Sequence, residues 1–413
     1  MIKYLFHFFN INFYFSCYIF KIYSFNKFIK NICTELVEIN KFFGKIFQWQ
    51  MQEEVLDDEL AIFLKLFFSN VPYSYNDIDY TILENAICYA KNKNDTLIIE
   101  NNMKPINSGT VALVFKGKLN GKDIVIKLLR NNIKTEIKNF INIYIILLDI
   151  YSFFASLFYI NNSIIRTNVK NNLDILMDQC NLINEVQNIE LFREKTNKNK
   201  NIVIPNVYKE YTEVFNNIII MDFLYGKSFD DLTRDEIEIY KPIVKTFIYD
   251  NYLTYKLIHS DLHIGNVIFV KNNDKYVLGI IDFGLVQKIT VKQSNIIFNL
   301  FISIINNNKR NVMKSLLLLS SINENIDYYV DKLYDKLKNT TILSDNKLVN
   351  FSDINILIKN IKTIEEVNIT KDSSELLLSL VSSMNLSTKF DTDSNNFKDI
   401  FNLFLKNKKI YCD

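Results

Sequence analysis

The chain has 413 residues, enough for a large buried core and two or three domain-sized units. Its 48 Lys and Arg stand against 46 Asp and Glu, a net charge of +2 that excludes the basic footprint of a nucleic-acid-binding protein. Five scattered cysteines (Cys17, Cys33, Cys88, Cys180 and Cys412), with no CxxC spacing, exclude a disulfide framework or zinc site and imply reduced thiols in an intracellular protein.

Residues 1–30 are aromatic and apolar with a few lysines, and the first acidic residue is Glu35. Tyr4 to Phe25 approaches a bilayer-spanning length but carries His7, Asn10, Asn12 and Lys21. Two readings stay open: a packed or interfacial amphipathic helix, or a membrane anchor or targeting segment. No small-residue cleavage site follows, which speaks against a secretory signal. Residues 31–104 form a helical extension. Leu36, Ile39, Phe42, Phe43, Ile46 and Phe47 recur at helical spacing, as do Leu60, Ile62, Phe63, Leu66 and Phe67, before Val71-Pro72 breaks the run.

From Pro105 the periodicity changes. Thr110 to Leu119 and Lys122 to Leu129 are β-rich runs joined by Asn120-Gly121, which predicts a hairpin with a type I′ turn. Asn139 to Ile160 is strongly apolar, interrupted by Asp149, and reads as a long buried helix rather than a membrane span. Leu182 to Glu190 reads as helix, and Val203 to Tyr208 and Ile218 to Gly226 as strands. Residues 290–413 are again helical in pattern, with polar loops around 321–326 and 386–396. Glycine is scarce, with eight in all, and seven of them lie from Gly109 to Gly284. A chain that avoids glycine should keep it where the backbone needs it.

The densest chemistry lies in His259-Ser260-Asp261-Leu262-His263-Ile264-Gly265-Asn266, followed by Ile280-Ile281-Asp282-Phe283-Gly284. H-x-D-x-x-x-x-N and then D-F-G is the order of a kinase catalytic loop and metal loop. Phosphoryl transfer needs one Asp to orient or accept a proton at the nucleophile. It also needs an Asn and a second Asp to hold the Mg²⁺ that neutralises developing charge. Asp261 is the candidate base, and Asn266 and Asp282 are the candidate metal ligands. His259 is expected to brace the loop backbone, and His263 fits either a structural or a functional role. On the same logic Lys127, within Val125-Ile126-Lys127, is the lysine that grips the nucleotide, since a Lys among Ile and Leu needs a partner. Glu185 is the candidate carboxylate that orients it.

These residues resemble the UbiB/ADCK family of atypical protein-kinase-like proteins over roughly residues 40–400. Pro105-Ile106-Asn107-Ser108-Gly109-Thr110 and the strand to Leu119 lie over the family's alanine-rich nucleotide loop. Glu185-Val186-Gln187-Asn188 matches E-A-x-N, and Met221 to Gly226 resembles M-E-x-x-x-G. Lys45-Ile46-Phe47-Gln48 resembles the K-x-G-Q signature that in this family folds over the active site. There are departures. Gly109 stands in the alanine-rich loop and Phe47 replaces the signature glycine. The family's E-x-D falls on Gln179-Cys180-Asn181, and Leu262 and Ile264 replace catalytic-loop prolines. Lys45 and Gln48 are therefore either gating residues or plain helix residues.

The resemblance implies an α+β fold: a two-lobed, protein-kinase-like architecture with an N-terminal helical extension and a largely helical C-lobe. The expected division is an apolar segment at 1–30, the extension at 31–104, an N-lobe with a helical insert at 105–225 and a C-lobe at 226–413. It implies ATP and Mg²⁺ as cofactors, with Ser108, Gly109, Thr110, Lys127, Met221 and Phe223 around the nucleotide. It also implies a link to isoprenoid-lipid, ubiquinone-like metabolism, with an isoprenoid lipid or a membrane surface as partner and no nucleic acid. Two alternatives stand beside it. One is a small-molecule phosphotransferase of the aminoglycoside or choline kinase type, whose catalytic loop is closer at Leu262. The other is a non-catalytic nucleotide-binding scaffold.

Overall fold

The computed structural model describes residues 2–44, 59–60, 63, 71–156, 177–273, 275–338, 351–362, 364, 369–390 and 396–408. The chain divides into two compact units, Met1–Ile160 with Tyr208–Phe223, and Asn161–Val207 with Leu224–Asp413.

The first unit opens with a helical hairpin, α1 (Ile2–Ile19) and α2 (Phe25–Ile39). Ser24 starts α2 by accepting a hydrogen bond from the Lys27 amide. Helix α3 (Tyr80–Asn92) begins at Asp79, whose carboxylate caps the Ile82 amide at 3.2 Å. An antiparallel sheet follows, with strands in the order β1 (Leu97–Ile99), β3 (Ala112–Leu119), β4 (Lys122–Leu129) and β6 (Ile218–Asp222), and with β2 (Asn107–Ser108) also paired to β3. Alternation along the strands sends Leu113, Phe115, Ile124, Ile126, Leu128, Ile218 and Ile220 to one face. There they pack on Leu83, Ala86 and Ala90 of α3 and form the core of this unit.

The β3–β4 hairpin has the turn that its sequence predicts. Leu119 pairs with Lys122, and the linking Asn120 and Gly121 have φ of 51° and 82°. Two positive φ angles define a type I′ turn, which only Asn, Asp and Gly adopt cheaply. The described part of the apolar run at 139–160 is helical, as expected. Helix α4 spans Ile133–Ser156 and starts earlier than its apolar run. Ile133, Ile137 and Phe140 are buried, Ile141, Ile143 and Ile145 are half-buried, and Ile146 is 58% exposed. No helix among the described residues is long and apolar enough to cross a membrane.

The second unit holds α5 (Leu182–Thr196), β5 (Ile202–Val203) and α7 (Arg234–Tyr249), with α6 (Lys209–Val214) belonging to the first unit. Of the strand expected at 203–208, only Val203 lies in one, as the last residue of β5, which pairs in parallel with β9 (Lys275–Ile280). Strand β9 pairs antiparallel with β8 (Val267–Asn272), and β10 (Val286–Lys288) pairs with β7 (Leu257–His259). Gly226 lies so close to β8 that a Cβ would sit 2.5 Å from Ile268 Cγ2 and 2.7 Å from the Phe269 carbonyl oxygen. The C-terminal helices are α8 (Val291–Ile305), α9 (Lys309–Leu319), α10 (Ile326–Leu337), α11 (Phe351–Lys362), α12 (Lys371–Lys389) and α13 (Asn396–Lys408). Tyr249 packs edge-on against Phe401 at 4.9 Å and Phe301 at 5.6 Å, an aromatic hub that ties α7, α8 and α13 together.

Candidate active site

Two short strand pairs frame the chemistry in the second unit. The segment 260–266 connects β7 to β8, and 281–285 connects β9 to β10. Because β7 pairs with β10 and β8 with β9, both connections emerge from the same paired strands. The Ser260 amide donates to the Leu285 carbonyl at 2.9 Å, and the Ile281 amide to the Asn266 carbonyl at 3.1 Å. Asp261 and Asn266 on one loop, and Asp282 on the other, are carried by loops that hold each other.

Side chains complete the brace. Asn266 Nδ2 donates to the Asp261 carbonyl at 2.8 Å, which commits its amide nitrogen and leaves the carboxamide oxygen as its metal-type donor. The Asn266 amide also donates to the His263 carbonyl. Buried His259 bonds through Nε2 to the Asp282 carbonyl oxygen. That nitrogen must carry the proton, since a carbonyl only accepts. Burial pushes the His259 imidazole below its ordinary value, against the charges of Asp282 and Asp261, so the ring is the neutral Nε2–H tautomer. The expected bracing role of His259 is thus visible as one bond. His263 Nδ1 accepts from the Gly265 amide at 3.0 Å, capping the turn Ile264–Asn266, and its Nε2 stands 3.8 Å from Asp261 Oδ2.

The metal loop is held from behind by α5. Two side chains one helical turn apart bracket the Phe283 peptide. Asn188 Nδ2 donates to the Phe283 carbonyl at 3.0 Å, and the Phe283 amide faces Glu185 Oε1 at 3.5 Å. The Gly284 amide donates to Asp282 Oδ1 at 2.9 Å, turning that carboxylate back over its own loop. Phe283 is fully buried against Phe192 of α5 at 5.1 Å and His259 at 5.3 Å. Asn188 had no role in the sequence reading beyond the E-A-x-N match. Glu185 is carried by the second unit and Lys127 by the first. Within its own unit, Glu185 faces the metal loop. Asn181, where the family has an acid, caps α5 by accepting from the Asn184 amide at 3.2 Å. That task suits Asn as well as Asp.

In the first unit Lys127 lies on β4 opposite Val114 and Ile219, half-buried on the face away from α3. Met221 is buried on β6 beside Val125, and the Phe223 amide donates to the Asp123 carbonyl at 3.1 Å. Lys116 Nζ stands 5.2 Å over the Phe223 ring. The tip of the β2–β3 hairpin carries Ser108 and Gly109, both bonded within the unit. The Ser108 hydroxyl donates to the Val71 carbonyl at 2.6 Å and accepts from Arg130 Nη2 at 2.7 Å, inside the unit. The Gly109 amide donates to the Ala112 carbonyl at 2.9 Å, and its carbonyl accepts from Arg130 Nε at 3.0 Å. Gly109 has no left-handed φ, and an added Cβ would lie 3.3 Å from the Ala112 oxygen. Its amide closes the turn at the tip of the hairpin. Thr110 is buried beside it. Lys45 and Gln48 lie outside the described residues.

Arg130 is the residue that sequence reasoning missed here. Only 1% exposed, it ties the hairpin tip to the Val71 and Pro72 carbonyls, each at 3.3 Å, and stands 3.2 Å from Asp77 Oδ1. Lys41 adds a second cation 2.9 Å from the same carboxylate. Burial raises the Asp77 carboxyl. The Lys41 and Ser74 hydrogen bonds and the charges of Lys41 and Arg130 outweigh that and bring it to about 2. A depressed carboxylate stabilises the fold above its unfolded value, and this contribution is lost as pH falls from about 4 through about 2. Arg130→Met leaves Asp77 with Lys41 as its one remaining cation and takes a donor from four loop oxygens, and it should cost about 3 kcal/mol, read as a lower urea midpoint. Arg130→Lys should recover little, since one ammonium cannot reproduce a fork that serves five oxygens. A near-wild-type midpoint for Arg130→Met would show that the network is not holding the tip.

Residues 81–316, more than half of the chain, match the ABC1 atypical kinase-like domain. A Paramecium bursaria Chlorella virus 1 protein, named as an ABC transporter, is 29% identical over 44% of this chain and 37% of its own length. A chloroplastic aarF domain-containing protein kinase of Arabidopsis thaliana is 24% identical over 54% of this chain and 42% of its own. The UbiB protein kinase of Tolumonas auensis is 24% identical over 53% of this chain and 41% of its own. The matched stretch thus spans about two fifths of these relatives' lengths. The loop pair at 259–284 lies inside the matched domain, the fold is kinase-like, and the chain belongs to the ABC1 atypical kinase-like family, the UbiB/ADCK group to which its motifs point.

Proposed function

We propose that this protein is an ATP- and Mg²⁺-dependent atypical kinase or ATPase acting in isoprenoid-lipid, ubiquinone-like metabolism. The observation that carries the reading is the interlocked loop pair of the second unit. It holds a carboxylate, a carboxamide oxygen and a second carboxylate on backbone that cannot drift apart without breaking the Asn266–Asp261 and His259–Asp282 bonds.

That donor set fits magnesium, which prefers hard oxygen ligands and takes few of them from protein in nucleotide sites. Asn266 and Asp282 would hold the ion, which supplies charge neutralisation at the phosphates. The chain's own groups do the rest. Asp261 orients the attacking hydroxyl or water and takes its proton, with its backbone fixed by the Asn266 bond to its carbonyl. His263 Nε2 stands 3.8 Å from Asp261 Oδ2. Glu185 and Asn188 fix the peptide that follows Asp282, so the ligand returns to the same place in each cycle. Lys127 would grip the α- and β-phosphates, the part that its strand position and the family resemblance give it.

The isoprenoid connection rests on kinship with a chain named UbiB and on the resemblance that the motifs carry. Phosphate release from ATP, followed with and without vesicles containing an isoprenoid quinone or its precursor, tests both parts. Turnover that rises with the lipid is the expected result. Turnover that ignores the lipid removes the metabolic link, and binding of ATP without turnover makes the chain a scaffold.

A further inference from the structure

The chain has three histidines, and two of them sit in the catalytic loop. The third, His7 of α1, lies beside Glu35 and Glu38 of α2, the first two acidic residues of the sequence. His7 is 3% exposed and Glu35 7%, while Glu38 reaches solvent. Three residues apart on α2, the two carboxylates share one face of the helix. One donor atom from each of the three side chains lies within 4.8 Å of the other two. Among the described residues this is the one trio of His, Cys, Asp or Glu so gathered. The bonding around Glu35 is divided between its two oxygens. His7 Nδ1 stands 2.5 Å from Oε2. Asn10 Nδ2 donates to Oε1 at 2.8 Å, and the Tyr14 hydroxyl donates to the same oxygen at 3.4 Å.

A buried His–Glu pair by itself contributes little, because desolvation of both groups offsets their attraction. The same atoms are well placed to hold a metal. Nδ1 and Oε2 face each other, and Oε1 is held by two donors, as the outer oxygen of a ligating carboxylate commonly is. One imidazole with two carboxylates suits zinc and its transition-metal neighbours better than magnesium or calcium. At tetrahedral zinc, ligand atoms about 2.0–2.1 Å from the ion stand about 3.3 Å apart. The His7–Glu35 gap would open by about 0.8 Å, and exposed Glu38 would close by at most about 1.5 Å. We propose that His7 Nδ1, Glu35 Oε2 and a Glu38 carboxylate oxygen bind one Zn²⁺ ion, with water in the fourth position, and that the ion clasps α1 to α2. The ion takes the place of the proton between Nδ1 and Oε2, which leaves to solvent. This rests on the seam of the hairpin and not on the kinase reading.

The test is titration of the full chain with Co²⁺, a coloured stand-in for zinc, without nucleotide or Mg²⁺. Wild type should take up one ion at this site, lose it to Zn²⁺, and lack the intense near-ultraviolet band that thiolate ligands give. Glu38→Gln alters an exposed side chain, so its circular dichroism should match wild type while Co²⁺ affinity falls about a hundredfold. Asn10→Ala, which removes a partner of the ligating carboxylate, should cost about tenfold. Glu38→His should restore binding, because imidazole is a zinc ligand. A role for Glu38 through charge alone would not be rescued by that change. Asp282→Asn should leave this uptake in place, which separates the ion from one held by the catalytic and metal loops. Zn²⁺ should also slow chymotryptic cleavage at exposed Phe6, Phe9 and Phe13 in wild type and not in Glu38→Gln. Four results would overturn the proposal: no stoichiometric uptake by wild type, equal affinity in Glu38→Gln, uptake lost in Asp282→Asn instead, or binding of Zn²⁺ that leaves the cleavage rate unchanged.

Discussion

Asp282→Asn should abolish the stabilisation of this protein by Mg²⁺ and ATP while leaving its fold intact. The backbone at this position is held by groups that the substitution does not touch. His259 bonds the residue-282 carbonyl, and Glu185 and Asn188 bracket the next peptide. An Asn side chain can still accept from the Gly284 amide, as Asp282 Oδ1 now does at 2.9 Å. What disappears is the negative charge, and with it a ligand that a hard divalent cation requires. A nucleotide held at a hundred times its dissociation constant adds about 2.7 kcal/mol to the stability of the protein that binds it. Thermal unfolding with saturating Mg–ATP should show that upward shift in wild type and little of it in the variant. Equal shifts in the two proteins would remove Asp282 from the metal site.

Asp261→Asn should have the opposite profile, with nucleotide affinity nearly unchanged and turnover reduced by about two orders of magnitude or more. Asp261 contributes its carbonyl to the Asn266 bond, which survives the substitution, so the loop keeps its shape. The side chain acts on the proton of the attacking group, an interaction made mainly in the transition state. A kinetic comparison should therefore place the loss in kcat rather than in KM. A variant with near-wild-type kcat would mean that another group takes the proton.

The parts of this account that can be read from sequence are those where chemistry or backbone geometry leaves few residue choices. Asn120-Gly121 predicts its turn because two positive φ angles exclude most side chains. The 259–284 motifs are legible because phosphoryl transfer needs those carboxylates and that amide in that order. Arg130 is illegible for the opposite reason. Its partners at 71, 72, 77, 108 and 109 are far from it in sequence, and a basic residue after a strand ordinarily points to solvent. At Gly109 the scarcity of glycine points to a backbone need without saying which; it is not a left-handed φ but the approach of the Ala112 carbonyl oxygen, 3.3 Å from where a Cβ would stand. The apolar run of α4 looks buried from hydropathy alone, yet Ile146 is exposed, because composition does not say which face finds a partner. The clasp of Asn188 on Phe283 spans ninety-five residues and shows itself in sequence only as a motif match.

Titration of the full chain with ATP, first with Mg²⁺ and then with the metal chelated, tests the central claim most directly. The arrangement of Asp261, Asn266 and Asp282 predicts saturable binding that collapses when Mg²⁺ is removed. No binding, or binding of equal strength with and without the metal, would contradict it.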